Sequence, residues 1–352
     1  MKKPRLIYID NLKGIACLLV LFAHFIPDYS ANTYINYAQF LSGFVPSLFL
    51  ALFGVTFAIQ ITYKPIKNIF INYILLFVFS FLLNGIITNN YLFFDSKNIV
   101  MMIAIFAGFS LFIYKILNPL IKVLNINLMM IASFLIYLIF KLVLTTNNFP
   151  VEGFNFLPWY SFFVFGIFIN SLSLRKNFIL SLLLWSVFTF FYSKGWAFYD
   201  HGEDTFKWFM SPTYFIYSLS CISSLFFLVK IIKQKNLFLI NFFGQNTLLF
   251  WLIQYLVFFK TNFSNNSVVL YLITITLLIF VVMKVILFIS KKPFLVESAK
   301  TKKMWAMLII LIIINSYLPS KISTNLSYIL FACFSTLYKY FPIKKINIAE
   351  KC

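Results

Sequence analysis

In a chain this apolar, a residue that titrates inside an apolar run is the first place to look for chemistry, because a charged group at mid-membrane costs roughly 2.5–3.5 kcal/mol on insertion scales. His24 is such a residue: it lies in Leu21-Phe-Ala-His-Phe-Ile-Pro27, with Asp28 four residues on. Positions i and i+4 share a helix face, although Pro27 ends regular helix there. With an ordinary pKa of about 6.5, an imidazole suits proton abstraction from a hydroxyl or amine near neutral pH. The alternative is a histidine hydrogen-bonded between helices for packing. The only other histidine, His201, stands between Asp200 and Glu203 in a polar segment. Two histidines and carboxylates on separate loops make a thin case for zinc, which needs three or four ligands, so no metal is expected. Cys17, Cys221, Cys333 and Cys352 lack the close spacing of redox or metal motifs.

A second group opens the chain: Arg5-Leu-Ile-Tyr-Ile-Asp10-Asn-Leu-Lys13-Gly14. Read plainly, it is a basic anchor with Asp10 as the N-cap of the first helix, where a carboxylate accepts from free backbone N–H groups. Read for function, it is a cation cluster for a phosphorylated ligand, joined by Lys64, Lys67, Arg175 and Lys176.

The elements that position these residues are membrane helices. Of 352 residues, 62% are hydrophobic and 11% charged, with 48 Phe and a mean hydropathy of +0.91. Too few polar side chains remain to cover a water-facing surface. Apolar runs at 12–27, 39–62, 69–88, 99–114, 128–144, 158–173, 178–193, 211–229, 237–259, 267–290, 304–318 and 327–341 predict an all-α transmembrane bundle of ten to twelve spans. They lack the alternation of barrel strands. No soluble domain fits, so residues 1–352 read as one integral-membrane domain.

A net charge of +20 in a soluble protein would suggest nucleic acid; in a membrane protein it encodes topology, and no nucleic-acid partner is expected. With the N-terminus cytoplasmic, 22 Lys and Arg fall on the cytoplasmic side and six on the other, with Lys284 near the middle of a span. That bias predicts a multi-pass plasma-membrane protein. Outward polar residues gather near 28–38, 145–157 and 194–210. The last of these, with Asp200 and His201 among aromatic and acidic neighbours, has the composition of a sugar-binding loop, or of a plain interfacial connector.

Several of these segments together resemble a known family. Arg5-x4-Asp10-x-x-Lys13-Gly14-x-Ala16, with His24 further on, resembles the R-x4-D-x-x-R-G-x-A opening of multi-pass membrane acyltransferases. Pro46-Ser-Leu-Phe-Leu-Ala-Leu-Phe-Gly54-Val-Thr, Phe156-Leu-Pro158-Trp159-Tyr-Ser-Phe-Phe-Val-Phe-Gly166-Ile, Ser211-Pro212-Thr-Tyr214 and Phe243-Gly244-Gln-Asn246-Thr-Leu248 are similar to later spans of the heparan-alpha-glucosaminide N-acetyltransferase-like branch. Type-3 membrane acyltransferases share the opening motif. The resemblance covers residues 5 to about 255 and implies transfer of an acyl group, most simply acetyl, from cytoplasmic acetyl-CoA to a hydroxyl or amine of a glycan beyond the membrane. It implies His24 as base with Asp28 orienting it. Arg5, Lys13 and Lys67 would hold CoA phosphates, and Asp10 would position Arg5 or cap the helix. On the acceptor side it implies Trp159, Asn246 and Gln254, and the composition of the 194–210 loop adds Asp200 and His201; Trp159 and Asn246 would line a central cavity, or read equally as interfacial anchor and packing residue respectively. Lys13 replaces an arginine, losing bidentate phosphate geometry, and Gln254 replaces a histidine. Two other readings stand beside it: a transporter or flippase for a glycan or lipid-linked substrate, and an acyltransferase homologue without activity, for which Gln254 is the main support.

Overall fold

The computed structural model describes residues 6–25, 42–88, 98–121, 131–139, 156–194, 211–232, 237–258, 268–315, 317–318, 320–337 and 340. Among the described residues every regular element is a helix: α1 Ile7–Phe25, α2 Val45–Tyr63, α3 Ile66–Thr88, α4 Ile99–Ile121, α5 131–139, α6 Phe156–Ser171, α7 Leu174–Ser193, α8 Pro212–Ile232, α9 Phe238–Gln245, α10 Thr247–Phe258, α11 Val268–Ser290, α12 Pro293–Ala299, α13 Lys302–Asn315 and α14 Ser320–Leu337. The described residues of each of the twelve apolar runs fall largely on one or more of them. Five segments, in α2, α3, α7, α8 and α11, are long and apolar enough to cross a membrane. The chain is an all-α, multi-pass membrane protein.

Helix starts follow local chemistry. Ser173 Oγ accepts from the Lys176 N–H at the head of α7, and Ser211 Oγ accepts from Tyr214 N–H ahead of Pro212, whose missing N–H costs nothing at the first helical position. Asn98 Oδ1 accepts from Val100 and Met101 N–H at the head of α4. Such caps satisfy donors that no hydrocarbon could.

Two expectations are corrected. The run 237–259 is not one helix: α9 ends at Gln245 and α10 begins at Thr247. The backbone turns at Asn246 (φ −122°, ψ 35°), whose amide donates to Phe242 O at 2.9 Å while Thr247 Oγ1 donates to Gly244 O at 2.8 Å. Lys284 is not central but seventeenth of the 23 residues of α11, exposed, with Nζ 5.4 Å from the Phe280 ring centroid. At about 1.5 Å per residue it lies roughly 7.5 Å past the helix midpoint, where a long ammonium side chain reaches water more readily.

Backbone contacts gather the chain into two compact units, one of Met1–Ile59 with Phe109–Thr247, the other of Gln60–Gly108 with Leu248–Cys352. In the first, α7 and α8 are joined through small polar residues: Ser224 Oγ pairs with Ser181 Oγ at 2.6 Å and accepts from Trp185 Nε1 at 2.8 Å, the usual adhesive between helices that gain nothing from hiding apolar surface in lipid. Tyr137 of α5 stacks on Phe215 of α8 at 4.0 Å. In the second, Phe79 of α3 stacks on Phe334 of α14 at 4.0 Å, with Trp305 edge-on to both. Only 22% of the apolar window of α11 is buried, against 61% of that of α8, so α11 carries a broad hydrocarbon-facing surface.

Candidate functional site

The opening motif from Asp10 onward lies on α1 and the Phe243-Gly244-Gln-Asn246 motif at the α9–α10 junction, and the two pack directly together. A Cβ added to Gly14 would fall 1.8 Å from the Ile240 carbonyl oxygen, and one added to Gly244 would fall 1.7 Å from that of Asp10. The same reciprocal arrangement joins α2 to α6: Gly54 meets the Phe163 carbonyl oxygen at 2.0 Å, and Gly166 meets that of Ala51 at 1.9 Å. Four glycines from four separate motifs thus make two close crossings where nothing larger than hydrogen fits, the small-residue solution to helix association in membranes.

Around the first crossing runs a buried polar line. Asn241 Nδ2 donates to Asn11 Oδ1 at 3.4 Å, and Gln245 Nε2 donates to Asn241 Oδ1. Asp10 is buried beside them, and Lys13 is half-buried with Nζ 5.9 Å from the Phe53 ring centroid. Asp10 is not the N-cap. Its N–H already bonds to the Leu6 carbonyl at 3.4 Å, so the helix starts earlier. Tyr8 OH donates to Asn170 Oδ1 at 3.0 Å, fixing this first turn against α6. Asp10 remains within the first turn, where the helix dipole favours an anion.

Hydrogen bonds also establish which ends meet within this unit. Tyr8–Asn170 joins the start of α1 to the end of α6. Lys230 Nζ, near the end of α8, donates to the Leu172 and Ile169 carbonyls at 2.9 and 3.3 Å, capping α6 with a cation. Tyr214 OH, near the start of α8, donates to Gly43 O at 3.0 Å and lies 3.3 Å from Ser47 Oγ at the head of α2. Helix α1, packed on α8, therefore runs antiparallel to α6 and α8. His24, in the last turn of α1 and half-buried, belongs to the end that holds Ser47, Tyr214 and Trp159. The exposed Arg175 and Lys176 belong to the opposite end, with Lys230, and Lys13 lies in the half of α1 nearer to it.

Trp159 has no exposed surface and lies edge-on to Tyr214 at 6.3 Å, which makes it an interior residue and not an interfacial anchor. Lys67 is exposed in the first turn of α3, in the second unit. Gln254, on α10 in that unit, is fully buried, and neither Oε1 nor Nε2 has a hydrogen-bond partner among the described residues. Arg5, Asp28, Asp200 and His201 lie outside the described residues, as does the His24–Asp28 pairing. Among the described residues no three His, Cys, Asp or Glu side chains group closely enough to hold a metal ion. Asn11, Asn241, Gln245 and Ser47 were not singled out from the sequence; the one signal for them was the i, i+4 spacing of Asn241 and Gln245 in an apolar run.

Burying an amide with no partner costs about 1–3 kcal/mol, and a near-isosteric apolar side chain removes that cost. Gln254→Met is therefore expected to leave the thermal midpoint in a fixed detergent unchanged or raise it by the equivalent of about 1 kcal/mol. A clear fall would show that the amide makes a stabilising contact.

Comparison with protein-family models, with curated proteins and with solved structures finds no match to this chain.

Proposed function

We propose that this protein is a plasma-membrane acyltransferase, with its N-terminus cytoplasmic, that moves an acetyl group from cytoplasmic acetyl-CoA to a hydroxyl or amine of a glycan beyond the membrane. The observation that carries the reading is the placement on α1 of a buried Asp10 in the first turn, a half-buried Lys13 one turn further on and His24 in the last turn. Lys13 and His24 are eleven residues apart, about 16 Å along the helix at about 1.5 Å per residue. An extended phosphopantetheine arm covers that distance, so phosphates held at Lys13 would leave the thioester near His24. The acceptor oxygen or nitrogen attacks the thioester carbonyl as the His24 imidazole takes its proton. The C–S bond then breaks, and the CoA thiolate recovers that proton from the imidazolium.

The test is CoA release from acetyl-CoA by the protein in proteoliposomes, with and without a glycan acceptor enclosed. Lys13→Met is expected to raise the KM for acetyl-CoA about tenfold with kcat nearly unchanged, as loss of one charge-assisted phosphate contact predicts. An unchanged KM would remove Lys13 from the donor site.

Among the described residues the break between α9 and α10 is the feature that favours transport, since transporters bind substrate at discontinuous helices. Its side chains are satisfied locally, however, by the Asn246–Phe242 and Thr247–Gly244 bonds. Movement of an intact glycan without CoA release would support that second reading.

A further inference from the structure

Beyond the proposed transfer site, and independent of it, the second unit carries a basic corner that the mechanism does not use. Between Ser290 and Met304 the chain leaves α11, forms the seven-residue α12 and enters α13. This stretch holds Lys291, Lys292, Lys300, Lys302 and Lys303, all exposed, against a single acid, Glu297. Five ammonium groups and one carboxylate leave a strong local excess of positive charge.

The corner is built and not merely a connector. Trp305 Nε1 donates to Ala299 O at 2.8 Å, and both residues are buried, which ties the end of α12 to the head of α13. Trp305 is in turn edge-on to Phe79 and Phe334 in the core of this unit. Thr301 Oγ1 accepts from Met304 N–H, and the Lys291 and Lys292 N–H groups close onto Phe288 and Ile289 carbonyls. With its backbone so held, α12 presents Phe294 at 76% exposure beside the lysines. An aromatic ring standing out next to ammonium groups, at the end of the most lipid-exposed long helix, matches the two layers of a leaflet surface, acyl boundary and charged headgroup.

We infer that the α11–α12–α13 corner binds the headgroups of anionic phospholipids, with its lysines on the phosphates and Phe294 inserted at the acyl boundary. Charge complementarity selects an anionic lipid over a zwitterionic one, and the exposed ring selects a lipid over a free phosphate. Screening follows: exposed charges lose reach as the Debye length falls to about 3 Å at 1 M salt.

The experiment uses the full chain, purified in a non-ionic detergent and offered phosphatidylglycerol or phosphatidylcholine in mixed micelles, with retained lipid counted by native mass spectrometry. The wild type is expected to retain phosphatidylglycerol about tenfold better than phosphatidylcholine at low salt. That preference is expected to disappear when Lys291, Lys292, Lys302 and Lys303 are all changed to Gln, and to weaken with Phe294→Ala. Inorganic phosphate at millimolar concentration is expected not to compete. Equal retention of both lipids by the wild type, an undiminished preference in the fourfold variant, or full competition by phosphate would each overturn the inference. Should the fourfold variant not fold, Glu297→Gln decides: removing the one acid is expected to raise phosphatidylglycerol retention about fivefold, from roughly 1 kcal/mol per charge near an anionic surface. No rise there would count against it.

Discussion

Alanine at Gly244 is expected to separate α1 from α9 and to leave little correctly folded protein. The added methyl carbon would sit 1.7 Å from the Asp10 carbonyl oxygen, 2.6 Å from its carbon and 2.9 Å from the Gly14 nitrogen. All three are backbone atoms, so no side chain can swing aside, and the helices must part by more than an ångström. Parting them also draws Asn241 from Asn11 and exposes both amides to hydrocarbon. Overpacking typically costs about 1–3 kcal/mol, and a backbone obstruction with a broken polar pair belongs at the upper end of that range. The measurement is the yield of monodisperse protein in detergent and its thermal midpoint. Gly108 is the control: nothing lies within 4 Å of an added Cβ there, so Gly108→Ala is expected to be neutral or to stabilise α4 by about 0.5–1 kcal/mol through the lower entropy of the unfolded chain. Matched losses at both positions would mean that the α1–α9 crossing is not as close as described.

The second large effect concerns chemistry alone. His24→Ala is expected to lower acetyl transfer about 10²–10⁴-fold, the usual contribution of a positioned general base, while the midpoint and acetyl-CoA binding stay near those of the wild type. A half-buried side chain in the last turn of α1 has room for that truncation without a large internal void. If His24 served packing between helices, stability would fall first and turnover per folded molecule would hold. The two outcomes separate on one preparation, since kcat is measured on the folded fraction.

How much of this was legible in the sequence follows from which signals are local. Where they are described, the twelve apolar runs fall largely on helix because a hydrocarbon solvent leaves backbone groups few other ways to be satisfied. The break at Asn246 was not legible: one asparagine in an apolar run is a weak stop, and the turn there accompanies the contact of Gly244 with α1, a demand made by a distant segment. Gly14, Gly54, Gly166 and Gly244 could be picked out as motif residues, but their pairing across two crossings needs three dimensions. Asp10 looked like a cap because aspartate before an apolar run usually is one, whereas the Tyr8–Asn170 bond fixes an earlier turn. Trp159 read equally as a cavity-lining residue and an interfacial anchor, and its lack of exposed surface, a matter of tertiary packing, removes the anchor. Gln254 drew notice as a departure from a family histidine; that its amide stands buried with no partner among the described residues depends on tertiary packing, which spacing alone does not reveal.

The central claim is acyl transfer to an outer glycan with His24 as base, and mass analysis of surface glycans tests it most directly. Cells expressing the wild type, His24→Ala and no protein are compared, with membrane insertion checked in the first two. Acetyl-sized additions in the wild type alone are the predicted result, and their position on the glycan would identify the acceptor. Identical glycans in all three, with both proteins inserted, would contradict the account.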